Sequence, residues 1–124
     1  MLPFKFLDVS PSYDAAEVFY VRVDPKICHQ EELLKSLYFL LWFPGYFGFN
    51  WDALYDCLRD LEWISYRKVV IVHEALPNLP EEDLKIYLEI LRDSVLDWGG
   101  DHRHELEVFF RSVDRRRVEE VLIS

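Results

Sequence analysis

The run from Lys68 to Val72, KVVIV, limits the possible folds more than any other stretch of the chain. After the lysine it is apolar and β-branched at every position but shows no alternation. A strand of that kind must be covered on both faces, as strands of a parallel sheet are. Two further runs read as strands, Val18 to Val23 (VFYVRV) and Glu105 to Arg111 (ELEVFFR). Helical spacing fills the gaps. Leu33, Leu34, Leu37, Leu40 and Leu41 recur three and four apart between about Cys28 and Trp42. Pro44-Gly45 breaks that helix, Asn50 suits an N-cap, and a second helix follows to about Leu61. A third opens at Pro80 with Glu81, Glu82 and Asp83 in its first turn, buries Leu84, Leu88, Leu91 and Val95, and closes at Gly99-Gly100. The order predicts an α/β chain with a small three-stranded parallel sheet, packed with helices and joined by right-handed crossovers.

At 124 residues the prior is one domain, and 51% apolar composition is enough for a core without staples. Residues 1–17 read as an N-terminal extension. Leu2, Phe4 and Phe6 alternate there, which fits a short edge strand or a docked arm, while Pro3 and Pro11 argue against a long strand. Residues 112–124 read as a C-terminal tail in which Val118, Val121 and Leu122 fall at the spacing of a short helix. The formal net charge of −9 repels nucleic acid and anionic membranes and attracts basic partners. Cys28 and Cys57 lie in no CxxC or zinc spacing and read as buried free thiols. The first ten residues lack the plan of a signal peptide, and no run is long enough to span a bilayer, so a cytoplasmic protein is expected.

The most informative stretch is FPGYFGFNWDALYDCLRDLEW, Phe43 to Trp63. On a helical wheel from Asn50 to Leu61, Trp51, Leu54, Leu58 and Leu61 share one arc with Cys57 at its border. Asp52, Tyr55, Asp56 and Arg59 share the opposite arc. That exposed face offers two carboxylates and a tyrosine. A loop carrying Tyr46, Phe47 and Phe49 lies just before it, with Gly45 and Gly48 read as the residues that permit its turns. Aromatic rings beside carboxylates on a rigid element have the composition of a protein-binding hot spot. They also copy what RNA presents to an enzyme, a base plane flanked by negative charge.

This stretch resembles the barstar family, intracellular inhibitors of secreted bacterial ribonucleases. The family run P-x-Y-(Y/F)-G-x-N-x-D-A-L-x-D-C-L is met by Pro44, Tyr46, Phe47, Gly48, Asn50, Asp52, Ala53, Leu54, Asp56, Cys57 and Leu58. The resemblance in element order covers roughly residues 18–111, which are expected to form a barstar-like domain. It implies an inhibitor or immunity protein, not an enzyme, that fills the active site of a basic ribonuclease or RNase-type toxin. Tyr46 and Phe47 would pack at the cleft mouth, and Asn50 would shape the loop and cap the helix. Asp52 would meet basic residues, Tyr55 stands where the family often has tryptophan, and Asp56 would mimic a phosphate. Asp93, on the third helix, would add a peripheral acid. The chain departs from the family in three places: Phe47 lacks a hydroxyl, Arg59 puts a cation where a small neutral residue is usual, and Leu61 replaces an aromatic. These departures also fit an interaction module of the same fold with a non-nuclease partner.

Other constellations are weaker. Asp101, His102, His104 and Glu105 form a D-H-x-H-E cluster that could converge on a metal, but reads as a polar loop. Asp52 and Asp56 are neighbours on one exposed helix turn and lack the cleft that a catalytic acid pair needs. There is no P-loop, GxGxxG or nucleophile elbow, so no cofactor, metal or catalytic residue is predicted. Arg115, Arg116 and Arg117 form the one strong basic run and are expected to pair with acids on the body. His73 and Glu74 end the second predicted strand and carry no assignment.

Overall fold

The computed structural model describes residues 2–9, 11–12, 14, 16–100 and 103–124. Along the chain come β1 (Lys5–Leu7), β2 (Val18–Val23), α1 (Gln30–Leu40), α2 (Trp51–Asp60), β3 (Lys68–His73), α3 (Glu81–Trp98) and β4 (Glu105–Arg111). A 3-10 turn (Ser112–Asp114) then leads into α4 (Arg115–Ile123). The strands form one parallel sheet in the order β1-β4-β3-β2. As the KVVIV run requires, β3 is covered on both faces, and it also has a strand on each side.

The sheet has four strands where three were expected. The N-terminal segment supplies the fourth, with Lys5, Phe6 and Leu7 opposite Phe109, Phe110 and Arg111. Apolar contact holds it there. The Phe4 ring meets Phe110 edge-on at 5.1 Å, and Phe6 stacks on Phe110 at 5.9 Å. Phe4 is buried, a gain of about 2 kcal/mol by its transfer from water. Without β1, β4 would present a bare row of backbone donors and acceptors.

The main core lies on one side of the sheet. Val69 and Ile71 of β3 meet Leu33, Leu34 and Leu37 of α1, Leu54 and Leu58 of α2, and Leu84, Leu88 and Leu91 of α3. Val118 and Val121 of α4 join the same core, and α4 packs on α3. The alternate residues Val70, Val72 and Phe109 form a smaller cluster on the other side, with Val18 and Tyr20 packed against it. Residues 8–17 connect the two outer strands, and Pro11 O accepts a hydrogen bond from the Tyr20 hydroxyl.

Two of the four polar residues buried among the described residues, Glu107 and His73, are held by partners inside this frame. Glu107, 6% exposed, sits between Lys5 Nζ at 2.8 Å and Lys68 Nζ at 3.0 Å. Burial pushes its carboxyl up, but the two lysine hydrogen bonds together overcome this and its pKa ends below the usual value. His73 ends β3 between the Phe109 carbonyl, 3.1 Å from Nδ1, and the Tyr87 hydroxyl, 2.7 Å from Nε2. A carbonyl can only accept, so Nδ1 carries the proton and the Tyr87 hydroxyl donates to Nε2. Burial lowers the His73 pKa to about 4 and keeps the ring neutral.

The C-terminal arginines are used locally. Arg117 reaches Glu81 at the start of α3, Arg115 and Arg116 pair with Glu119 and Glu120 one turn on, and Arg115 also lies over the Phe6 ring at 5.0 Å. No helix is long and apolar enough to cross a membrane among the described residues.

Candidate functional site

Asn50 starts α2 as its sequence suggests. Its backbone is extended, and its Oδ1 accepts from the Ala53 N–H at 2.8 Å. A cap of that kind contributes about 1 kcal/mol. At the other end the helix stops at Leu61 in the left-handed region (φ 50°), a conformation that favours glycine. A leucine stands there because its side chain is fully buried in the core.

The loop before α2 differs from its expected form. No described glycine has a positive φ; Trp42 (φ 56°) and Phe49 (φ 52°) take those conformations instead. Gly48 serves close approach, since a Cβ there would lie 3.2 Å from the Asn50 side chain. Both strained residues are exposed aromatics. The structure places Phe47 in the core at 4% exposure, not at the surface where it was expected at a cleft mouth. Its ring is 4.9 Å from both Phe43 and Phe49 and 6.0 Å from Tyr38. The loop is thus anchored by Phe43 and Phe47 and displays Tyr46, which is 73% exposed.

A groove of about 310 Å³ lies between this loop and α2, with Tyr46, Gly48, Asn50, Asp52 and Asp56 in its walls. Asp52 is exposed, and so is Asp56 one turn on, with its side chain 75% exposed. Asp52 has no cationic partner among the described residues and sits at the favourable end of the helix dipole. Asp56 accepts from Arg59 Nη2 at 3.2 Å. The Arg59 guanidinium lies 4.0 Å above the Tyr55 ring and reaches Asp97 of α3 at 3.7 Å. The Tyr55 hydroxyl donates to Asp97 at 3.0 Å; burial and this bond push its pKa up. Asp93, one turn before Asp97, accepts from its neighbour Arg92 at 2.9 Å.

The sequence-predicted residues therefore fall into three groups. Tyr46, Asn50, Asp52 and Asp56 share the groove, with the buried Phe47 also lining it. Tyr55, Asp56 and Arg59 form a knot tied to α3. Asp93 stands apart on α3, paired with Arg92. Asp97 was missed; only its spacing four residues after Asp93 on α3 would have signalled it, and its role depends on the packing of α2 against α3.

Asp101 and His102 of the D-H-x-H-E cluster lie outside the described residues. His104 is buried with its ring 5.2 Å from Trp98, and its Nδ1 has no hydrogen-bond partner among the described residues. One group of potential metal donors occurs among the described residues, Cys28, His29 and Glu32, within 4.8 Å of one another. It is built as a helix start, with the Cys28 N–H donating to Glu32 Oε1 at 3.4 Å, and the dipole there opposes a cation. Cys57 lies buried under the groove with its pKa pushed up to about 11, chiefly by burial, so the thiol stays protonated and inert.

No curated protein matches the chain. A family model described as Barstar (barnase inhibitor) matches residues 18–111, about three quarters of the sequence and all of it from β2 to β4. By that match, and with a capped acidic helix behind an aromatic loop inside a parallel α/β frame, the chain belongs to the barstar family of barnase inhibitors.

Proposed function

We propose that this protein is an inhibitor or immunity protein that binds a basic ribonuclease, or an RNase-type toxin, one to one and blocks its active site. It acts as a ligand and not as an enzyme. The observation that carries this reading is the pair Asp52 and Asp56 beside Tyr46 in one groove, on a helix whose first turn is fixed by Asn50. Two carboxylates and a ring present negative charge next to an aromatic plane, as an RNA strand does. A rigid helix presents them with little ordering cost on binding. Asp93 and Tyr55 lie at the margin of the footprint, and Arg59 tunes the charge of Asp56. Two free thiols fit a reducing, cytoplasmic setting, where such an inhibitor protects its own cell.

The test is an RNA-cleavage assay with a barnase-type ribonuclease and with the ribonucleases and RNase-type toxins of the same source. Inhibition that saturates at one equivalent, and that weakens in Asp56→Ala, is expected. Folded protein that neither binds nor inhibits any of them would sink the reading.

One observation favours a second reading, an interaction module with a non-nuclease partner. Arg59 already occupies Asp56, so the acid expected to mimic a phosphate is partly neutralised. Capture of a basic partner that has no nuclease activity, and that no longer binds the Asp56→Ala variant, would favour it.

A further inference from the structure

Trp42, just past the end of α1, is 75% exposed and stands between two cavities. One, of about 280 Å³, is walled by Tyr38, Phe39, Trp42 and Phe43. The other, of about 320 Å³, has Trp42, Trp63, Tyr66 and Phe19 in its walls. None of the described residues that line either cavity is charged. We propose that this aromatic face is the contact surface of a homodimer, in which Trp42 of each copy enters a cavity beside Trp42 of the other.

The face is self-complementary. A two-fold contact must hold both a projecting group and its receptacle, because each copy supplies both. Trp42 is the projection and also a wall of both receptacles. The rings are set before any partner arrives. Phe39 and Phe49 pack 5.2 and 5.0 Å from Tyr38, and the Trp63 Nε1–H donates to the Leu41 carbonyl at 2.8 Å. Trp42 and Phe49 are held outward at φ 56° and 52°, conformations that cost energy and persist where function requires them. Rings fixed in this way lose little freedom on association.

Area and charge point to a second copy as the occupant. Phe39 is 66% exposed and Phe49 about half exposed, so with Trp42 they leave about 400 Å² of aromatic surface open. A standard interface takes about 800 Å² from each copy, roughly two thirds of it apolar in a homodimer. The three rings supply most of that apolar share, and the half-buried Tyr38, Trp63 and Tyr66 lie beside them. Two copies at net charge −9 repel each other on most approaches. They meet most readily where acids are absent, as here. A basic partner, drawn by the acids, gains no charge contact on this face. Asp52 and Asp56 line neither cavity, so the acidic groove is not part of the dimer contact.

Sedimentation velocity on the whole protein across the micromolar range is the test. The mass should rise from one chain to two and stop there. Added salt should strengthen the pairing, because it screens the repulsion between acidic copies. In Trp42→Gly, whose new residue suits the positive φ, pairing should weaken about tenfold or more while the urea midpoint stays at or above that of the parent. Phe39→Glu sets like charges across the two-fold axis and should weaken it as well. A single-chain mass throughout, or parent-like pairing in both variants, would overturn the proposal. So would a monomeric parent whose inhibition of a ribonuclease is lost in Trp42→Gly, since the face would then belong to the ribonuclease contact. The mass measurement needs no nuclease, so its failure is distinct from a failure of the inhibitor reading.

Discussion

The protein holds two sets of carboxylates in opposite ways. Glu107 is shut inside the sheet with a lysine on each side, while Asp52, Asp56, Asp60 and Glu62 ring an exposed tyrosine with one arginine among them. The first arrangement is complete and has no use for a visitor. The second is left short of cations on a surface that is otherwise well formed. On the proposed reading, the difference separates acids that serve the fold from acids that serve a partner, and it can be tested by removing the cations from each set.

The largest effect is expected at the closed set. Lys5→Met/Lys68→Met leaves Glu107 buried without its lysine partners, and urea unfolding should show a loss of about 3–5 kcal/mol. Asp52→Asn in the open set should stay within about 0.5 kcal/mol of the parent in the same assay. A similar loss in both would erase the distinction.

Acid should also find the interior first. His73 is neutral in the folded protein, with its pKa lowered to about 4, and gains a proton near its ordinary value of 6.5 when unfolded. A depressed histidine pKa means that the unfolded chain binds the proton first. Stability should therefore fall as pH drops from about 6.5 to about 4, by about 3 kcal/mol in all, and this dependence should vanish below that window. Unfolding curves at pH 7, 5 and 4 check it. Glu107, whose pKa is lowered, adds its own loss only below about 4.5.

At the open set the readout is affinity. Removing one partner of a buried interfacial charge pair costs about 2–5 kcal/mol, a scale borrowed from the barnase–barstar pair itself. Asp56→Ala should fall near the lower end, since Arg59 already takes part of its charge, with the loss appearing in the off-rate. The smallest effect has the opposite sign. Arg59→Ala frees Asp56 and should tighten binding to a basic ribonuclease by up to about 1 kcal/mol, the worth of an exposed ion pair. Weaker binding in that variant would mean that Arg59 itself touches the partner and would favour the second reading.

Much of the frame was readable from residue order. The KVVIV run, the proline-glycine break, the Asn50 cap and the leucine spacings act locally, and each marked its element to within a few residues. What was unreadable depends on long-range contact. β1 is three residues beside a proline, and only Phe110 and the edge of β4 make it a strand. Phe47 and Tyr46 are adjacent aromatics in one loop, and nothing in their order says which turns inward. Arg59 was legible as a neighbour of Asp56, but its tie to Asp97 comes from a helix almost forty residues away.

The two segments outside the family-matched region also meet, where Arg115 lies across Phe6. They work as a clasp: β1 seals one margin of the sheet, and α4 leans on β1 while buttressing α3. Trimming either would slacken the other. A fragment cut to the matched span would lose both, and its β4 would be left as an unsealed seam open to self-association.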